Sequence, residues 1–86
     1  MQPVTVYTTP FCPYCTRALK LLTSKGVAYT EVEAGMNSAL KAEMIARSGG
    51  RRTFPQIFVG ETHVGGCDDL HALDAKGGLD RLLMAQ

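Results

Sequence analysis

Cys12 and Cys15 stand three positions apart, with Pro13 and Tyr14 between them, where a β-rich segment gives way to a helical one. Two thiols at that spacing can close a very small disulfide loop. A helix N-terminus presents unpaired N–H groups and about half a positive charge, and both stabilise a thiolate. An ordinary cysteine, with a pKa of about 8.5, is only about 3% ionised at pH 7. Stabilising the thiolate raises that fraction but lowers intrinsic nucleophilicity, with a Brønsted slope of about 0.4–0.5. An attacking thiol therefore gains almost nothing, whereas a departing one gains substantially. On this reasoning Cys12 is suited to turning over a mixed disulfide, and further acceleration must come from holding the substrate in line. Cys15 lies deeper along the helix, placed to attack a mixed disulfide on Cys12 and release its partner. Two other readings use the same residues. Packing alone could bury two core cysteines, but it does not explain Pro-Tyr between them at a strand-to-helix junction. A zinc site could add Cys67, His63 or His71, but a second short ligand pair is missing, and no metal is expected.

The elements that must position these thiols follow from pattern. Residues 3–8 are rich in Val, Thr and Tyr and predict a strand, broken by Thr9-Pro10-Phe11. Pro13 suits a first helical turn. Ala18, Leu19, Leu21 and Leu22 form a helical stripe within 14–25, and Gly26 supplies the stop. A second strand is expected over 27–32. A second helix, capped by Asn37 or Ser38, carries Leu40, Met44 and Ile45 on one face and ends at Ser48-Gly49-Gly50. Residues 57–59 and 62–64 predict a hairpin across Gly60-Glu61, with Gly first as a type II′ turn prefers. Helices are expected from about Asp68, with Leu70 and Leu73, and after Gly77-Gly78, with Leu79, Leu82 and Leu83. The order β-α-β-α-β-β-α-α implies an α/β fold. Its four-stranded mixed sheet would hold a right-handed parallel crossover and an antiparallel hairpin, with helices on both faces.

With 86 residues the chain is expected to form one domain, 1–86, with a modest core. A net charge of +1 gives no reason to invoke nucleic acid or an acidic membrane surface. Three cysteines do not make a disulfide-stapled secreted scaffold. No secretory leader or membrane span is expected, and the simplest placement is a reducing cytoplasm.

Cys12-Pro13-Tyr14-Cys15, Thr53-Phe54-Pro55-Gln56 and Gly65-Gly66-Cys67-Asp68-Asp69 together resemble the glutaredoxin family. The stretch from Gly65 to Leu83 is similar to its short bacterial glutaredoxin-three type. Cys-x-x-Cys alone is weak evidence; three motifs in order, spread over the chain, are strong. The resemblance implies a thioredoxin-like fold, a monomer, and glutathione as reducing co-substrate. Glutathionylated or disulfide-containing proteins would be the partners. It implies a cis Pro55, with the backbone of Phe54 pairing with the cysteine residue of bound glutathione and Thr53 beside it. It implies that Gly66, Cys67 and Asp68 receive the γ-glutamyl group. Backbone N–H groups near Cys67 and Asp68 would take its carboxylate, and Asp68 would face its ammonium. Glycines before a helix start leave N–H groups open to an anion, which supports this independently. At least one of Asp68 and Asp69 is also expected to cap the helix. The family often has a lysine where this chain has Thr9, so Arg51 is the best candidate for the glycine carboxylate, ahead of Arg17 and Arg52. Tyr14 is expected either to touch the bound peptide or to cover the helix end. Cys67 is read as a packed residue open to side oxidation, and His63 and His71 as surface or hairpin residues without catalytic duty. The expected activity is glutathione-dependent thiol–disulfide exchange. The rivals are a redoxin fed by a thioredoxin-reductase-type flavoenzyme and an iron–sulfur carrier.

Overall fold

The computed structural model describes residues 1–85. Strand β1 (Val4–Thr8) leads into helix α1 (Pro13–Ser24), strand β2 (Thr30–Glu33) and helix α2 (Ser38–Arg47). The hairpin β3 (Gln56–Val59) and β4 (Thr62–Gly65) follows, then helices α3 (Cys67–Ala75) and α4 (Gly78–Met84). The sheet is mixed, in the order β2-β1-β3-β4, with β1 parallel to β2 and antiparallel to β3, and β3 antiparallel to β4.

Alternation along the central strands sorts the core into two layers. Val4 and Val6 of β1 pair with Val59 and Ile57 of β3. These four pack with Ala18 and Leu22 of α1, Leu70 of α3, and Leu79 and Leu83 of α4. The intervening Tyr7 and Phe58 point the other way and pack with Met44 of α2. Arg47 of α2 donates to the Tyr7 hydroxyl at 2.8 Å and lies 4.3 Å over the Phe58 ring, while the Tyr7 hydroxyl donates to Glu43 at 2.7 Å. Burial, with the Glu43 bond second, holds the Tyr7 phenol above its ordinary pKa.

The second strand starts later than the pattern suggests. Gly26 takes φ 71° after the last turn of α1 and donates to Thr23 O at 3.0 Å, while Val27 donates to Leu22 O at 3.0 Å. Val27 is therefore spent on closing the helix, its side chain buried against the same core. Pairing with β1 begins only at Thr30. Asn37 caps α2 by accepting from Leu40 N at 3.0 Å. Gly60 has φ 58°, and Glu61 does not share the positive φ, which fits the type II′ turn and excludes type I′.

Candidate active site

Cys12 is the N-cap of α1, in extended backbone with φ −111° and ψ 103°. Pro13 fills the first helical position, where its missing N–H leaves nothing unsatisfied. The Cys15 N–H donates to Cys12 Sγ at 3.1 Å, so the sulfur does the work that a Ser or Asp oxygen does at an ordinary cap. The preceding Phe11 takes φ 58° with its ring fully exposed, an uncommon backbone state for a bulky residue. It turns the chain sharply between β1 and the helix.

Cys12 is partly exposed, whereas Cys15 is buried at 4% exposure. Burial first, and the adjacent Cys12 sulfur second, pushes the Cys15 thiol up to about 12. A thiol in that state stays protonated until the chemistry at Cys12 gives it a reason to ionise. The helix start therefore holds two sulfurs of unlike character, one accessible and solvated by backbone N–H, one buried and protonated.

Two further segments converge on this helix end. The loop before β3 carries a cis Phe54–Pro55 bond, and the Phe54 carbonyl oxygen lies 4.0 Å from Cys12 Sγ. Across from it, Gly66 is the N-cap of α3. Having no side chain, Gly66 cannot cap; instead its own N–H donates to Asp69 Oδ2 at 2.9 Å, half of a capping box. The N–H groups of the first turn of α3 have no partner within the helix. They sit on a groove lined by Thr53, Phe54 and Pro55 on one side and by Gly66, Cys67 and Asp68 on the other, with Tyr14 and Arg51 at its margins. The groove thus gathers Tyr14, Arg51, Thr53, Phe54, Pro55, Gly66, Cys67 and Asp68, and Cys12 adjoins it through Phe54. Arg17 lines a separate hollow with Lys20 and His71.

Arg51 does not stand alone at the groove. Its guanidinium lies 3.7 Å from Asp69 Oδ2, an exposed pair of the kind worth at most about 1 kcal/mol, which a ligand carboxylate can exchange readily. Asp69 is itself a groove residue, beyond the capping that the sequence suggests. Gln56 donates to the groove residue Thr53, and His63 Nε2 lies 2.6 Å from Gln56 Oε1. The half-buried His63 is held below its ordinary pKa by burial and then by Arg51, with Asp69 opposing. The sequence marks Asp69 only as a helix cap and gives His63 no role; the signal available for the pair behind Thr53 is a single amide, Gln56, opening an otherwise apolar run.

Cys67 is buried at 4% exposure, and burial raises its thiol. His71 Nδ1 lies 2.9 Å from the Cys67 carbonyl oxygen, which can only accept. That bond claims the Nδ1 proton, so the ring cannot act as a base toward Cys67 Sγ, 3.5 Å away. Among the described residues no three His, Cys, Asp or Glu side chains converge as a metal site. These environments set one expectation: iodoacetamide at pH 7 labels the reduced protein once, at Cys12. Peptide mass spectrometry checks it, and early label on Cys15 or Cys67 contradicts the contrast drawn here.

A family model described as glutaredoxin matches residues 4–64. A glutaredoxin of Pseudomonas aeruginosa is 56% identical over 85 residues, covering 99% of this chain and 100% of the relative. Glutaredoxin 3 of Escherichia coli is 58% identical over 83 residues, covering 96% and 99%. Among solved structures, a buckwheat glutaredoxin–glutathione complex superposes with a TM-score of 0.84 at 33% identity, covering 95% of this chain and 76% of that one. The architecture shared with these structures is the thioredoxin-like fold.

Proposed function

The chain belongs to the glutaredoxin family of glutathione-linked thiol oxidoreductases, and on that premise we propose that it reduces glutathionylated proteins and protein disulfides at the expense of glutathione. The observation that carries the proposal is the Cys15 N–H bond to Cys12 Sγ at 3.1 Å, at the edge of a groove walled by Phe54–Pro55 and Gly66–Asp68.

In the one-thiol route, the Cys12 thiolate attacks the glutathionyl sulfur of a protein mixed disulfide. The protein thiolate leaves and takes up a proton, and a Cys12–glutathione disulfide remains. The thiolate of a second glutathione attacks the glutathionyl sulfur, and glutathione disulfide departs as Cys12 is released. Backbone N–H groups at the helix end stabilise that leaving thiolate. In the two-thiol route, Cys12 attacks a protein disulfide, and Cys15 loses its proton and attacks Cys12 Sγ. This expels the substrate as a dithiol and leaves a Cys12–Cys15 disulfide. Two glutathiones restore the pair. The raised Cys15 thiol keeps this second attack in reserve while Cys12 is reduced.

The groove supplies the binding part. The Phe54 backbone pairs with the cysteine residue of glutathione beside Thr53 and Pro55, and Tyr14 covers the peptide. The first N–H groups of α3, at Cys67 and Asp68 behind Gly66, take the γ-glutamyl carboxylate, with the Asp68 side chain facing its ammonium. Arg51, released from Asp69, takes the glycine carboxylate. The buckwheat neighbour bound to glutathione supports this choice of ligand. A reducing cytoplasm is the compartment in which such a dithiol turns over.

The test pits two electron donors against each other. With a glutathionylated peptide, glutathione plus a flavoenzyme that reduces glutathione disulfide is expected to sustain turnover, and a thioredoxin-reductase-type flavoenzyme alone is expected to give none. The reverse result hands the assignment to the flavoenzyme-fed redoxin.

A further inference from the structure

Gln56 is a neutral carboxamide with no exposed surface, opening the otherwise apolar strand β3. An amide buried without partners is costly, so its presence asks for a use. Each of its polar atoms is engaged. Nε2 donates to the Thr53 carbonyl oxygen at 3.0 Å and to Thr53 Oγ1 at 3.1 Å. Oε1 lies 2.6 Å from His63 Nε2. Because the Thr53 carbonyl only accepts, the amide nitrogen must face the loop. Oε1 then faces His63, which must carry its proton on Nε2. His63 is held in turn by its place opposite Phe58 in the β3–β4 ladder and by ring stacking on Phe58 at 4.9 Å and 29°.

The partner of this relay is a loop with no ladder of its own. Residues 51–55 belong to neither helix nor strand. Ser48 Oγ donates to the Arg51 carbonyl oxygen at 3.1 Å, and the Gln56 amide does the corresponding service two residues on. The residue after Thr53 is Phe54, whose carbonyl oxygen faces Cys12 Sγ.

We infer that Gln56 and His63 are positioning residues for glutathione: the His63–Gln56–Thr53 hydrogen-bond chain holds the loop so that the Phe54 backbone is presented to the bound peptide. The inference rests on the glutathione reading above and adds residues that touch neither sulfur nor ligand. A loop that wanders loses the peptide contacts but not the thiol chemistry, so the damage falls on discrimination. A substrate thiol arm without peptide groups, such as cysteamine, has nothing to pair with Phe54 and should not register the loss.

The experiment compares kcat/KM for one peptide carrying either glutathione or cysteamine on its cysteine. The variants are His63→Phe, which keeps the stacking and lacks the donor; His63→Gln, which restores a donor; and Gln56→Met, which removes every bond at similar volume. The wild-type preference for the glutathionylated peptide is expected to fall about fivefold in His63→Phe and about tenfold in Gln56→Met, the scale of one or two net hydrogen bonds. His63→Gln is expected to recover most of it. The half-buried His63 pair keeps the test decisive if Gln56→Met does not fold. An unchanged preference in folded His63→Phe overturns the inference. So does an equal loss on both substrates, or a His63→Gln no better than His63→Phe. A wild-type protein with no preference for the glutathionylated peptide would instead remove the glutathione reading itself.

Discussion

Cys12→Ser is expected to drop turnover of both glutathionylated and disulfide substrates to the background rate of glutathione alone, while Cys15→Ser keeps deglutathionylation and loses disulfide reduction. The asymmetry follows from position. Cys12 is the accessible sulfur at the helix cap, and both proposed routes pass through it. A serine hydroxyl there can still cap the helix, so the fold survives, but it cannot attack or leave as sulfur does. Cys15 is buried with its thiol raised, and the one-thiol route never calls on it. Stopped-flow or coupled assays on both substrate classes, with quantified free thiols, decide the matter. Activity surviving in Cys12→Ser would sink the mechanism, and deglutathionylation lost in Cys15→Ser would sink the one-thiol route.

Gly65→Ala should be among the most damaging single-atom additions to this chain. Gly65 has φ 118°, a backbone state that L side chains rarely adopt, and a Cβ there would run into the Asp69 carboxylate. Strain and overpacking of this kind each cost about 1–3 kcal/mol, so a combined loss of about 3 kcal/mol is expected. For a domain of this size that corresponds to a fall in Tm of roughly 12–24 °C. Asp69 cannot both yield to the new methyl and keep its 2.9 Å bond from Gly66 N–H. The helix start that borders the groove is therefore disturbed together with the fold. Calorimetry of Gly65→Ala, Asp69→Ala and the double variant separates the contributions. Part of the cost should vanish when Asp69 is already alanine, because the clash with the carboxylate is gone, while the 3.0 Å approach to the Cβ of residue 69 and the backbone strain remain. Strict additivity would show that Asp69 is not what the methyl meets.

Much of this architecture was legible because local rules and tertiary structure agree. Pro13 at the first helical position, Asn37 as a cap and Gly60 leading a tight turn each do what their residue types favour. The second strand begins later than the strand-like side chains of Val27 and Tyr29 suggest. The Gly26 closure claims the Val27 N–H first, and no strand pattern contains that information. At the site, the thiols were legible from spacing alone. The cis bond before Pro55 was not, since nothing local distinguishes it, and it came from resemblance. The link between Gln56 and His63 is hidden for a different reason. Their link spans a bulged hairpin register, and the two residues meet only once β3 and β4 have paired.

The bond from Cys15 N–H to Cys12 Sγ has an electrochemical side. Any free energy by which the first turn of α1 favours a thiolate is, by linkage, free energy withheld from the disulfide. The reduced fold is then the better-capped one, and fraying that turn drives the dithiol pair toward a lower midpoint potential and a stronger reductant. Substitutions on the first turn that never touch a sulfur thus become a means of tuning where this protein sits between donor and acceptor of electrons.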